Sequence, residues 1–341
     1  MMPLSMGEVV VAGSGVGGLA AALAVARQRH WVTVLKERDP FVPPDAGVHL
    51  TPTALRALDQ LGIGLDAHRR AVTVHEVHLV NGVTGRPIST VPTDSRHGRP
   101  HAVVHGGDLY DLLLEACGND PAIRIREDTA VVHYEQTDQR LTVFLGTGER
   151  LRVDALIGAD GVCSPVRRQL TGQAGRVSPY ATFHTAVPRE RVPARLQPQL
   201  SARTAVTLWE GPSWQLAHYP SGDRRVGITA TCAHDAPALV RGTPATAAQV
   251  LDRMPRLAEA ARELVGLGTE WRMWVPCDGD RDPPWCDRRV VLTGAAVRPA
   301  FQHSLPTAFQ AVDDAVRLGN MMDCDPADFP QAFRSYAGRR H

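Results

Sequence analysis

The sequence predicts an α/β fold, with a βαβ unit on a parallel sheet and a second layer made of an antiparallel sheet and a helix. Three observations lead there. The apolar run Val9 to Ala12 has strand length and leads through Gly13, Gly15 and Gly18 into an alanine-rich helix and a second apolar run, Val32 to Leu35. The same strand–loop–helix pattern resumes near the end of the chain, where RVVLTG at 289–294 precedes a helix from about Leu305 to Met321. Between the two, residues 173–285 carry short strands with aromatic side chains, a different texture from the flanks.

The glycine spacing gives the first element its meaning. In a Rossmann-like βαβ unit the first glycine allows the tight turn and the second lets backbone approach a pyrophosphate. The third allows close helix–strand packing, and the helix N-terminus favours the phosphate charge. Gly13, Gly15 and Gly18 stand at that spacing, so they are the expected cofactor-binding residues. Such a unit wants a carboxylate at the end of its second strand, to accept hydrogen bonds from ribose. That position reads Lys36, the chain's only lysine, with Glu37 one step on; a one-residue slip would hand the task to Glu37. An ammonium cannot accept. Lys36 and Arg38 would instead suit a 2′-phosphate.

Composition excludes several functions. A net charge of +1 offers no basic field for nucleic acid or an anionic membrane. The six cysteines form no CxxC pair and have no histidines at zinc spacing, so no metal is expected and free thiols in a reducing cytosol fit. The chain enters its first strand by about residue 8 with no basic leader, and the run Val9 to Ala26 is better explained by its glycines than by a membrane span. A cytoplasmic protein with a small-molecule partner is expected.

In order, Thr51-Pro52 opens a helix with Leu55, Leu58 and Leu61 inward, and Val72 to Val80 alternates as one strand. Residues 81–100 read as a hairpin or loop, and Asp108 is expected to cap the next helix. Ile123 to Leu156 reads as a three-stranded meander turning at Gly146-Thr147-Gly148. Strands at 204–209, 214–219 and 226–232 follow, then one helix from Ala247 to Leu264. Trp209, Trp214 and His218 are read as sheet packing in preference to substrate contacts. The expected domains are a discontinuous nucleotide-binding one, 1–70, 101–172 and 286–341, and a substrate one, 71–100 and 173–285.

Gly13-x-Gly15-x-x-Gly18, GADGVCSPVRR around Asp160-Gly161, and the Gly294 segment ending Asp313-Asp314-Ala315 together resemble the class A FAD-dependent aromatic monooxygenases, the hydroxybenzoate-hydroxylase-like fold. The resemblance runs from Val9 to about Tyr336 and implies that Asp160 and Gly161 sit where flavin and nicotinamide are accommodated. The third motif departs from the family. Where members read GDAAHxxxPxxGQGxxxAxEDA, this chain reads GAAVRPAFQHSLPTAFQAVDDA. The ribityl-binding acid becomes Ala295, and GQG becomes Leu305-Pro306-Thr307, with no N–H at Pro306. The VHRxDL arginine becomes Gly106, and the ribose acid corresponds to Lys36.

Four departures at flavin contacts lead to the expectation of no cofactor, with a vestigial flavin site. The favoured reading is then a flavin-independent tailoring enzyme acting on a small aromatic or polyketide-like substrate by cyclisation, dehydration, isomerisation or ring opening. The fold would project His49, Arg298, Gln302 and His303 into the pocket. His303 is the leading proton carrier and His49 a second, and Arg298 can steady an oxyanion. The alternatives are an FAD- and NAD(P)H-dependent monooxygenase with unusual contacts, and a non-catalytic binding subunit.

Overall fold

The computed structural model describes residues 5–37, 46–93, 100–161, 163–172, 176–196, 204–222, 224–278, 284–297 and 308–338. The βαβ unit forms as expected: β1 (Glu8–Ala12), α1 (Val16–Ala26) and β2 (Trp31–Leu35). After β3 (Gly47–Leu50) come α2 (Pro52–Gln60) and α3 (Gly64–Arg70). The Thr51 side chain caps α2 by accepting from the Ala54 amide, as Thr-Pro at a helix start favours.

The expected strand 72–80 is two strands in different sheets, β4 (Val72–Val74) and β5 (Glu76–Asn81). His75 breaks it, bonding through its amide to the Thr204 carbonyl and through its own carbonyl to Thr93. The segment after it, expected as a hairpin or loop, forms the hairpin: β6 (Pro87–Pro92) pairs antiparallel with β5. Next are β7 (His101–His105) and α4 (Gly106–Asn119), whose cap is the His105 imidazole, which accepts from the Gly107 amide; Asp108 lies within the first turn.

The expected meander is also redistributed. β8 (Ile123–Arg126) joins the parallel sheet, while β9 (Val131–Gln136), β10 (Leu141–Leu145) and β11 (Arg150–Val153) form the three-stranded sheet. β12 (Ala155–Gly158) then enters the parallel sheet beside β1, and α5 (Pro165–Thr171) follows.

The second layer comprises β13 (Arg176–Val177), β14 (Tyr180–Pro188), β15 (Ala205–Glu210), β16 (Trp214–Ser221), β17 (Arg225–Ala233) and β18 (Val240–Ala245). The single helix expected over 247–264 is two, α6 (Ala247–Asp252) and α7 (Glu259–Leu267). Pro255 lies in the gap and Arg256 takes a left-handed φ of 60°, which ends α6 and re-aims the chain. β19 (Trp271–Val275), β20 (Cys277–Asp278), β21 (Cys286–Asp287) and β22 (Val290–Leu292) lead back to the first layer, completed by α8 (Ala308–Met321) and α9 (Phe329–Gly338).

The large sheets give the α/β class its form. The six-stranded sheet runs β21–β22–β12–β1–β2–β8 and is parallel except at β21–β22. The eight-stranded sheet runs β18–β19–β14–β17–β16–β15–β5–β6 and is antiparallel except where β5 joins β15 in parallel. Helix α1 is buried on nearly every side, which explains its alanines. A Cβ on Gly319 of α8 would stand 2.6 Å from the Ala24 Cβ, so small residues let the two helices approach.

A third sheet, β3–β7–β4, joins the layers. One of its faces sends Val48, Leu50, Ala102 and Val104 into the first-layer core. The other packs Val74 and Val103 on Val206, Ala217 and Tyr219 of the second layer.

Candidate functional site

The glycine loop lies at the C-terminal edge of the parallel sheet, between the strand ends that carry Glu37 and Asp160. Gly13 has φ 103°, and a Cβ there would lie 2.4 Å from the Ala159 carbonyl oxygen. A Cβ on Gly18 would lie 2.0 Å from the Gly13 oxygen. Gly15 caps α1 with extended backbone, no side chain among the described residues bonds the free amides there, and the first turn carries no acid. This is a backbone cradle with donors pointing outward, the chemistry that accepts a pyrophosphate.

Lys36 does not face this cradle. Its ammonium donates to Glu127 at 3.0 Å in a surface ion pair, so the missing ribose acceptor is not replaced by a cation. Glu37 is the carboxylate on the loop side, close enough for its charge to act on Asp160. Lys36 is therefore not evidence against a nucleotide.

Asp160 follows β12, and its carboxyl is buried. Its Oδ2 accepts from the Val166 amide at 3.2 Å, and Oδ1 has no partner among the described residues. Burial pushes its pKa up to about 6, with the Glu37 charge a smaller contribution in the same direction. A buried acceptor left unbonded costs free energy unless a ligand supplies the donor. Gly161 has φ 78° with open space where a Cβ would point. The residues present thus fit the dinucleotide half of FAD: cradle, helix N-terminus, Glu37 and the orphaned Asp160 oxygen.

The remaining candidates divide. Ala295 is exposed in the short turn Gly294–Ala296, which Arg167 pins by donating from Nη1 to the Ala296 carbonyl at 3.3 Å. Arg167 is buried, a role that the RR pair in GADGVCSPVRR did not reveal. Gly106 is buried at the start of α4. Arg298, Gln302, His303 and Leu305-Pro306-Thr307 lie outside the described residues.

His49 stands on the interlayer face of β3. Its Nε2 lies 3.0 Å from the Nδ1 of His101, and the rings stack with centroids 5.0 Å apart. Burial, and then the His101 charge, lower the His49 pKa to about 4. Nearby, the Gly47 amide donates to the Tyr219 hydroxyl at 3.0 Å, which bonds Thr229 Oγ1 at 2.8 Å, which in turn bonds His184 Nδ1 at 2.9 Å. This seam went unseen because its members lie on β3, β14, β16 and β17, with no sequence spacing in common. Trp209 and Trp214 are buried, and the Trp209 indole donates to His218 Nδ1 at 3.1 Å, so these residues pack the second layer. Among the described residues no metal-binding cluster occurs, and no helix is long and apolar enough to cross a membrane.

Residues 6–207 match the family described as FAD binding domain. The chain is 34% identical over 326 residues to 3-hydroxybenzoate 6-hydroxylase 1 of Aquipseudomonas alcaligenes, covering 93% of this chain and 82% of that one. Among solved structures, 2,6-dihydroxypyridine-3-hydroxylase from Arthrobacter nicotinovorans superposes with a TM-score of 0.82 at 20% identity, covering 99% of this chain and 88% of that one. Klebsiella pneumoniae HpxO complexed with FAD and uric acid gives 0.77 at 20%, covering 98% and 84%. At those identities the two structures speak for the fold. The family match and the hydroxylase relative overturn two expectations from the sequence, absence of a cofactor and flavin-independent lyase, isomerase or cyclase chemistry. Four departures at single positions weigh less than the backbone cradle of Gly13, Gly15 and Gly18, which is intact.

Proposed function

This chain belongs to the class A FAD-dependent aromatic monooxygenases, and we propose that it hydroxylates a small aromatic acid using FAD, NAD(P)H and molecular oxygen. The observation that carries the reading is the orphaned Asp160 oxygen beside an intact glycine cradle, in a chain about a third identical to a hydroxybenzoate hydroxylase. When bound, FAD supplies hydride acceptance and oxygen activation, chemistry that no side chain replaces.

The chain's own residues hold and orient. The α1 amides from Gly15 to Gly18 would receive the pyrophosphate, and Glu37 the adenosine ribose. Asp160 would accept from cofactor hydroxyls through Oδ1. The substrate would lie against the interlayer face, where Val103, Val206 and Ala217 exclude water and the polar seam holds one end of the ring in place. The seam runs from the Gly47 N–H, which donates to Tyr219 Oη, through Thr229 Oγ1 to His184 Nδ1. His303, Arg298 and His49 stay as candidate contributors, with FAD held mainly by segments 1–70, 101–172 and 286–341 and substrate by 71–100 and 173–285. Two separate hydrophobic cores support that division. Thiols without disulfides among the described residues suit a cytoplasmic enzyme.

The test uses protein loaded with FAD, NADH or NADPH, and 3-hydroxybenzoate. Expected are nucleotide oxidation stimulated by the aromatic acid and a product carrying one oxygen atom from O₂. Turnover without oxygen and nicotinamide, or failure to retain FAD, would overturn the proposal.

A further inference from the structure

We propose that His49 and His101 form a one-proton site for the carboxylate of the aromatic acid substrate. This rests on the hydroxylase reading and adds the recognition element. The two imidazoles share one hydrogen bond between His49 Nε2 and His101 Nδ1, 3.0 Å apart, with ring planes 21° from parallel. Both lie on the face of the β3–β7–β4 sheet that looks toward the second layer. His49 is opposite Val103 in the β3–β7 register, and His101 opposite Val74 in β4–β7. The outer nitrogens, His49 Nδ1 and His101 Nε2, have no partner among the described residues.

Proton counting follows from this arrangement. A neutral pair holds two ring protons, one of them between the rings, so a single outer nitrogen carries N–H and the other is bare. One added proton leaves the bridge in place and puts N–H on both outer nitrogens. The pair then changes from a donor plus an acceptor at its two opposite ends into a cation whose substrate-facing outer nitrogen is a donor, the form that suits a carboxylate. Without an anion that form is disfavoured, since burial lowers both histidines, His49 more strongly. An anion beside the pair reverses the balance, so binding and protonation occur together.

The surroundings leave this to the ligand. On the pair's own face the titratable neighbours are His105 on β7 and Tyr219 on β16, neither an anion at neutral pH. Helices α2, α3, α4 and α8 pack on the opposite face, with Val48, Leu50, Ala102 and Val104, so their carboxylates do not face the imidazoles. Among the described residues no Asp or Glu on these elements supplies the counter-charge. The sign follows: affinity for the acid is highest below the pKa of the bound pair and falls about tenfold per pH unit above it.

The experiment is calorimetric titration of the FAD-loaded protein with 3-hydroxybenzoate, at pH 7, in two buffers of unlike ionisation enthalpy. 3-Hydroxybenzyl alcohol serves as the uncharged control. Most of one proton should be taken up per acid bound, and none with the alcohol. His101→Gln keeps a hydrogen-bonding partner for His49 but cannot share a proton, so it and His49→Gln should abolish uptake. Both should weaken acid binding about tenfold to a hundredfold, with alcohol binding nearly unchanged. A wild type that hydroxylates 3-hydroxybenzoate yet takes up no proton, or variants that retain the uptake, would overturn the site and leave the hydroxylase reading standing. Acid binding with uptake but no hydroxylation would instead overturn that reading and keep the site. Absence of binding would remove both.

Discussion

Which of two adjacent residues meets the cofactor ribose, Lys36 or Glu37, can be decided by substitution. Lys36 is tied to Glu127 at 3.0 Å, and the Glu127 side chain is 72% exposed. Such a pair contributes at most about 1 kcal/mol, so Lys36→Met should cost little stability and leave FAD affinity within about twofold. Glu37 is the carboxylate on the cradle side. Hydrogen bonds from ribose to a charged acceptor contribute about 1.5–3 kcal/mol, so Glu37→Gln should weaken FAD binding roughly tenfold to a hundredfold. The same substitution removes a charge that raises Asp160, so the Asp160 pKa should fall, an internal check that Glu37 is where the structure places it. The assay is FAD titration of apoprotein, followed by quenching of flavin fluorescence. A large loss in Lys36→Met with no loss in Glu37→Gln would refute the assignment of the two side chains.

Further perturbations test the remaining parts. Asp160, raised to about 6 from an unfolded value near 3.8, destabilises the apoprotein by on the order of 3 kcal/mol above pH 6, a penalty that vanishes as pH falls toward 4. Asp160→Asn should therefore raise the apoprotein Tm at pH 7 while losing FAD affinity, and an unchanged pH profile of Tm would count against the burial argument. His49 has the opposite sign: its pKa is depressed to about 4, so its contribution is present above pH 6.5 and is lost as pH falls toward 4. His49→Phe should flatten that acid limb in thermal melts. Gly18→Ala places a Cβ 2.0 Å from the Gly13 oxygen and should yield folded protein without bound flavin, read from its absorption spectrum. Gly47→Ala meets Tyr219 Cε2 at 2.5 Å and Val103 Cγ1 at 2.6 Å, an overpacking cost of about 1–3 kcal/mol that should appear as a lowered Tm.

The sequence by itself determined the α/β class, the βαβ unit, the Asp160-Gly161 segment and the family, because each rests on a local pattern. A tight turn needs glycine at fixed offsets, and a buried helix such as α1 needs small residues along its length. It did not determine which sheet each strand joins. Strand pairing is set by contacts distant in sequence, so 72–80 divided between two sheets at His75, and β8 left the meander for the parallel sheet. The same limit misled the reading of the site. Lys36 occupies the right position for a ribose acid, and only the tertiary structure turns it to Glu127 and leaves Glu37 beside Asp160. The pairing of His49 with His101, 52 residues apart, arises from the register of β3 on β7, and the Tyr219–Thr229–His184 seam from four strands that the chain visits far apart. Backbone contacts to a cofactor leave little trace in side-chain identity, which is why substitutions at Ala295 and Leu305-Pro306-Thr307 suggested a lost flavin while the cradle that would hold it remained whole.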